Sequence, residues 1–423
     1  MWAMDYISSR DICYLVCDTL SLMDKRPIEH GMRVAYMLIK LLQNKKSYEE
    51  YEIAEFAFLA MIHDIGVYAV GGIADDPQYE NEKSLEHAIY GGLFVKSNSP
   101  FGQRADVLLY HHMPYSRINC MNYQYDTIAM YFSLLEDVDA LYMKDGEELD
   151  YRVFEKDTGT KYLPEAVMFL LKSVRRDNIF AQISNGNYKK ELYDFMDYAL
   201  FTNQEKEAYV RFAAHCMGLR EKHRAAEAIM CACVSEEIGD AIGLNARDRE
   251  KLYYSSLLHD IGMLAVDKKI TELPRSLEPQ ERKQIMGHVP VQDKILRKWF
   301  CEPDIPDIVR AHHERLDGSG YPAGKKGNNM TTIQKILQVA DMVTAMSNKR
   351  TYRPARKREE VIEILEEEVG QNRVDDYIVS VLKAKYDMIE RKLRLETKNY
   401  LEMQLKIGNM YKILLEKQMG EKL

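Results

Sequence analysis

The chain contains no uninterrupted apolar run of about 18 residues, and its opening, Met1-Trp2-Ala3-Met4-Asp5, lacks the basic and apolar regions of a signal peptide. No membrane span or secretory leader is therefore expected. A basic excess is also missing. Against 58 Lys and Arg stand 66 Asp and Glu, a net charge of -8 that argues against a nucleic-acid polymer as partner, because tracking a phosphate backbone takes a basic face. The seven cysteines show no zinc-type spacing. Cys231 and Cys233, two apart, face different sides if helical and read as reduced thiols. A cytoplasmic protein without a membrane partner is the expectation. Alternating strand patterns bounded by turn pairs are scarce, which excludes an all-β architecture.

What is present is helical periodicity. Segments such as 33–39 and 225–238 carry apolar residues at steps of three and four. Turn residues cluster at 71–77, 97–102, 157–164 and 317–327. The stretches AMIHDIGVYAV at 60–70 and SLLHDIGMLAV at 256–266 repeat one element 196 positions apart. That period is too long for a solenoid and indicates two homologous domains. The expected fold is all-α: two tandem helical bundles, residues 1–200 and 201–385, followed by a long C-terminal helix, 386–423. Thr202 or Asn203 is placed to cap the helix that opens the second bundle. In the tail, Leu382, Tyr386, Ile389, Leu393, Tyr400, Met403, Ile407, Met410 and Leu414 follow a three-four seam. It suits either a homodimeric coiled coil or an amphipathic helix packed back on its own domain.

Ten of the eleven histidines form two parallel series. The first is His30, His63-Asp64, His87 and His111-His112; the second is His223, His259-Asp260, His288 and His312-His313. Acidic residues follow each histidine pair: Glu136 and Asp137 in one half, Asp341 in the other. Imidazoles and carboxylates together suit first-row transition metals, with separate helices each contributing one or two ligands. An adjacent His-Asp pair can serve two metals at once, an arrangement suited to clamping a phosphate and activating water. His215 matches neither series and reads as structural.

The second half resembles the HD-GYP subgroup of the HD-superfamily phosphohydrolases. The likeness rests on His259-Asp260-Ile261-Gly262, His288, His312-His313-Glu314, Asp317-Gly318-Ser319-Gly320-Tyr321-Pro322, Gln338-Val339-Ala340-Asp341 and Lys349-Arg350-Thr351-Tyr352-Arg353, covering roughly 215–385. The first half, roughly 24–145, resembles an HD domain without the GYP loop, since Met113-Pro114-Tyr115-Ser116 follows its histidine pair. The resemblance implies hydrolysis of cyclic di-GMP or a related cyclic dinucleotide at two or three divalent ions, iron or manganese. It assigns His223, Glu227, His259, Asp260, His288, His312, His313 and Asp341 as metal ligands, with His259 and Asp260 at the catalytic centre. In the first half the matching ligands are His30, His63, Asp64, His87, His111, His112 and Asp137, with Glu136 as the one-residue alternative. Gly320, Tyr321 and Pro322 would shape the substrate pocket or dock a protein partner, and Arg350, Tyr352 and Arg353 would approach the substrate.

Two departures stand out. The family's Lys after HDIG is Met263 here, and Val67 in the first half; neither donates a hydrogen bond. The histidine expected about 32 residues before His259 is Glu227, with His223 one turn earlier. Nearly complete ligand sets favour an enzyme; the missing Lys favours a nucleotide-binding receptor that signals through the GYP surface or the tail.

Overall fold

The computed structural model describes residues 4–70, 83–118, 125–271, 273–347 and 355–420. Arg350, Tyr352 and Arg353, and the turn expected at 71–77, lie outside them. Among the described residues the regular structure is helical, apart from isolated bridges pairing Thr158 with Tyr162 and Asp317 with Lys326.

Two compact units result. One comprises Asp24–Glu205 with Gln404–Leu423, the other Met1–Met23 with Lys206–Met403. They are called the first and second unit below. This division departs from a simple cut at residue 200. Helix Ser9–Ser21 buries Ile12, Leu15, Val16 and Leu20 in the second unit. There Tyr14 stacks on Trp299 at 5.4 Å, and the Trp299 indole donates to Asp18 at 2.8 Å. No local pattern in the sequence records so distant a partner.

In the first unit, helix Arg26–Lys45 opens with Pro27 in its first turn, where a missing N–H costs nothing. A capping box of Glu49 and Glu52 starts helix Glu50–Met61. These helices meet at Gly31, where a Cβ would lie 2.5 Å from the Met61 carbonyl oxygen. The missing side chain lets His30 approach the His-Asp step that follows Met61. By length and composition, Glu50–Val70 is apolar enough to cross a membrane, although the sequence has no uninterrupted apolar run there. The stretch is 72% buried within the protein and changes to a 3-10 turn at His63. It is a core element.

The second unit repeats this pair. Helix Lys222–Ile242 ends at Gly243, whose φ of 81° suits glycine, and Asn245 caps Ala246–Leu258 by accepting from the Asp248 amide. At the expected domain boundary, Thr202 caps helix Asn203–Arg220 reciprocally with Glu205. The core gathers Val234, Ile238, Leu252, Leu337 and Val343, and the tail helix adds Ile378, Leu382, Tyr386, Ile389 and Leu393. That helix runs Asp376–Gly420, and its seam is buried at Tyr400 and Ile407 as well. The seam is therefore covered by its own chain from Leu382 to Ile407, while Met410 at its end is exposed.

Candidate metal centres

The His-Asp-Ile-Gly element works alike in both units. Each helix ends just before the tetrad, and its Gly presses onto the helix that carries the next histidine. A Cβ on Gly66 would lie 2.0 Å from the His87 carbonyl oxygen, and one on Gly262 would lie 2.2 Å from that of His288. Only glycine permits the approach.

The histidines are oriented by backbone carbonyls. Nδ1 of His63 and His111 lies 2.7 Å from the carbonyls of Ala60 and Leu108. In the second unit, Nδ1 of His259, His288 and His312 lies 2.6–2.8 Å from those of Ser256, Ile285 and Val309. A carbonyl only accepts, so Nδ1 carries the proton and Nε2 turns its lone pair inward.

In the first unit the donors form two groups: Asp64 with His87, His111 and His112, and His30 with His63 and Glu136. Asp64 Oδ1 lies 3.1 Å from His87 Nε2. Glu136 lies 2.5 Å from His63 Nε2 and 3.1 Å from His30 Nε2. Asp139, unremarked in the sequence, accepts from His30 Nδ1 at 2.6 Å and from Arg33 at 2.6 and 2.7 Å. It lies one turn beyond Glu136 on the same helix face. Asp137 is corrected here: its carboxylate takes the Tyr162 hydroxyl at 2.8 Å and pairs with Lys161 at 2.9 Å. Adjacent helical residues diverge by about 100°, so Glu136 is the inward acid.

In the second unit Asp260, His288, His312 and His313 form the corresponding group. His288 and His312 lie 3.4 and 3.8 Å from Asp260 Oδ1, and His288 Nε2 is 3.4 Å from His312 Nε2. Asp341, on helix Thr332–Ser347, lies 3.5 Å from His259 and 3.7 Å from His313. Neither His223 nor Glu227 belongs to a cluster of mutually close donors among the described residues. His223 is partly exposed and faces Glu221 at 3.5 Å. Glu227 is buried and matches His30 in position once the connecting loop, one residue shorter (243–245 against 46–49), is counted. Arg224, one turn before Glu227, reaches Asp260 Oδ2 at 3.5 Å.

The electrostatics suit cations. Burial opposes a charge on His259, yet Asp260 and Asp341 lift its pKa to about 9. Burial likewise opposes a charge on His30, and Glu136 and Asp139 hold its pKa well above the ordinary value. Burial and neighbouring imidazoles push His112 down to about 4 and His313 to about 3, leaving neutral lone pairs. His111 Nε2 is buried without a hydrogen-bond partner. Inward lone pairs beside carboxylates are what a divalent transition metal requires, so the residues present fit the group.

The GYP loop is anchored to this site. Buried Glu314 accepts from the Ala323 and Lys325 amides at 2.7 and 2.8 Å, and Gly320 packs where a Cβ would meet the Arg315 amide nitrogen at 2.4 Å. These contacts bring Tyr321 against His313, ring centroids 4.7 Å apart. Pro322 follows on the same loop. A cavity of about 690 Å³ opens beside the donors, lined by Arg224, Asp260, Met263, His288, His313 and Asp341 among others. A smaller one of about 150 Å³ lies at Gly320 and Tyr321.

Paired histidines and carboxylates gathered inside a helical bundle, together with the family match that follows, mark a metal-dependent phosphohydrolase. Residues 212–378 match the HD domain family. The second unit therefore carries an HD-type domain. It is 24% identical over 396 residues to 3′3′-cGAMP-specific phosphodiesterase 1 of Vibrio cholerae, covering 89% of this chain and 91% of the relative. To a cyclic di-GMP phosphodiesterase of Thermotoga maritima it is 28% identical, over 40% of this chain and 46% of that one. Its fold is similar to the crystal structure of a cyclic GMP-AMP specific phosphodiesterase of V. cholerae, V-cGAP3, with a TM-score of 0.54 at 15% identity, across 89% of this chain and 97% of that chain.

Proposed function

We propose that this protein hydrolyses a cyclic dinucleotide at the second unit, with 3′3′-cGAMP as the first substrate to test and cyclic di-GMP as the next. The observation that carries the reading is the 690 Å³ cavity beside Asp260, His288, His313 and Asp341, large enough for a dinucleotide and walled by the metal donors. Support for 3′3′-cGAMP comes from the relative so named, which matches 89% of the chain. His259, Asp260, His288, His312, His313 and Asp341 would hold divalent metal, which supplies charge neutralisation at the phosphate and activation of the attacking water. The protein's part is to fix these donors in one tautomer, to exclude bulk water from buried histidines, and to offer the Tyr321 ring as a wall for the substrate. Iron or manganese fits the mixed nitrogen and oxygen donors.

Met263 in the cavity wall favours a second reading, a receptor that binds the dinucleotide and turns it over slowly. Anaerobically purified protein, loaded with iron or manganese, should convert 3′3′-cGAMP to the linear dinucleotide, followed by chromatography beside cyclic di-GMP. Binding of either without product selects the receptor reading. Absence of both binding and product ends the proposal.

A further inference from the structure

Arg224 sits in the metal centre without belonging to the expected ligands. Its side chain is 6% exposed, so its charge needs partners. Nε donates to Glu221 at 2.7 Å, and Nη1 lies 3.5 Å from Asp260 Oδ2. Glu221, itself buried, is steadied by the Thr271 hydroxyl at 2.7 Å. Arg224, Thr271 and Met263 all line the cavity beside the donors. In the first unit the corresponding Oδ2 of Asp64 faces His30 at 4.0 Å. In the second unit Glu227 takes the position of His30, and the corresponding Oδ2 of Asp260 faces a fixed cation from one turn earlier.

We propose that Arg224 is the phosphate-binding cation of the second unit, standing in for the Lys that Met263 replaces; this rests on the cyclic dinucleotide reading above. A guanidinium presents five N–H donors in a planar fork, and the contacts to Glu221 and Asp260 occupy two of its three nitrogens. The third nitrogen, Nη2, carries two N–H groups that can donate to phosphate oxygens. Met263 offers neither charge nor donor; of the two arginines in the cavity wall, Arg275 pairs with Glu281 at 2.7 Å and Arg224 is the one beside Asp260.

The test uses the full chain, metal-loaded, with His63→Ala and Asp64→Ala in the background so that the first unit's donors are disabled. Inorganic phosphate is titrated calorimetrically, and metal content is measured on the same samples. Arg224→Gln should weaken phosphate binding by roughly tenfold or more at unchanged metal content. Arg224→Lys, which keeps the charge but loses the fork, should weaken it by about three- to tenfold and serves if the Gln variant does not fold. Adding Met263→Lys to Arg224→Gln should recover affinity and turnover together. Phosphate affinity unchanged in either single variant overturns the proposal. So does metal loss that accompanies the affinity loss, because Arg224 would then support the donors instead of the phosphate. Failure of the chain to hydrolyse any cyclic dinucleotide would sink the proposed function and leave the phosphate titration to decide Arg224.

Discussion

The two units present one sequence device in two electrostatic settings. In the first, Asp64 and Glu136 each draw on surrounding imidazoles, and Arg33 is held back by Asp139. In the second, Glu227 takes the position of His30, Arg224 one turn earlier reaches Asp260, and a loop locked by Glu314 brings Tyr321 to His313. The first arrangement gathers more metal donors. The second gathers fewer, together with a cation and an aromatic wall. The two units thus share the scaffold that orients histidines and differ in the groups around the donors.

The sharpest way to break this comparison is to remove one His-Asp pair at a time. His259→Ala with Asp260→Ala should strip metal from the second unit and lower hydrolysis by roughly 1000-fold or more, whereas His63→Ala with Asp64→Ala should leave the second unit's metal in place. Metal analysis and product chromatography check both. Equal loss from the two double variants would mean that the centres do not act separately.

Next come the glycines. Gly66→Ala and Gly262→Ala each push a methyl group into a histidine carbonyl oxygen. Each should destabilise its unit by about 1–3 kcal/mol and loosen metal binding, read by denaturant titration and metal affinity. A variant as stable as the parent would show that the close approach is not needed.

A pH effect should separate the units further. Burial, with Arg211 nearby, holds the His215 pKa at about 3, and the ring stacks with Tyr400, centroids 6.1 Å apart. The unfolded chain takes up a proton near pH 6.5 that the folded chain refuses. Stability from this residue is therefore complete above pH 6.5 and declines by roughly 1.4 kcal/mol per unit below it, toward pH 3. His215→Phe should flatten the stability profile between pH 7 and 5 by about 2 kcal/mol, measured by denaturation across that range. An unchanged slope would move the acid sensitivity elsewhere.

The smallest effect belongs to the neighbouring acids. Asp137→Asn should leave the first unit's metal content unchanged, whereas Glu136→Gln should lower it, because of these two acids it is Glu136 that faces His30 and His63. The reverse result would return the ligand role to Asp137.

Much of this was legible in the chain. Helical periodicity, the two HDIG elements and the order of His30, His63, His87, His111 and their counterparts placed two helical bundles and most of the donors. These features are local: a helix end, a tetrad and a spacing survive as pattern whatever packs against them. The resemblance that pointed to His223 as a ligand did not anticipate that Arg224 turns inward in its place, because one residue of rotation on a helix is invisible until the helix is docked. The choice between Glu136 and Asp137 failed for the same reason. Asp139 and Glu221 were missed because a carboxylate that holds another side chain carries no spacing signal of its own.

The sequence by itself determined the all-helical architecture, the repeated HDIG element and the chemistry of the donors, since periodicity and residue type are properties of short segments. Only the tertiary structure decided that Ser9–Ser21 joins the second unit, that the tail's seam is filled by its own core, and that Arg224 meets Asp260. Each depends on which distant surfaces meet, and burial between segments far apart in the chain leaves no periodic trace in either one.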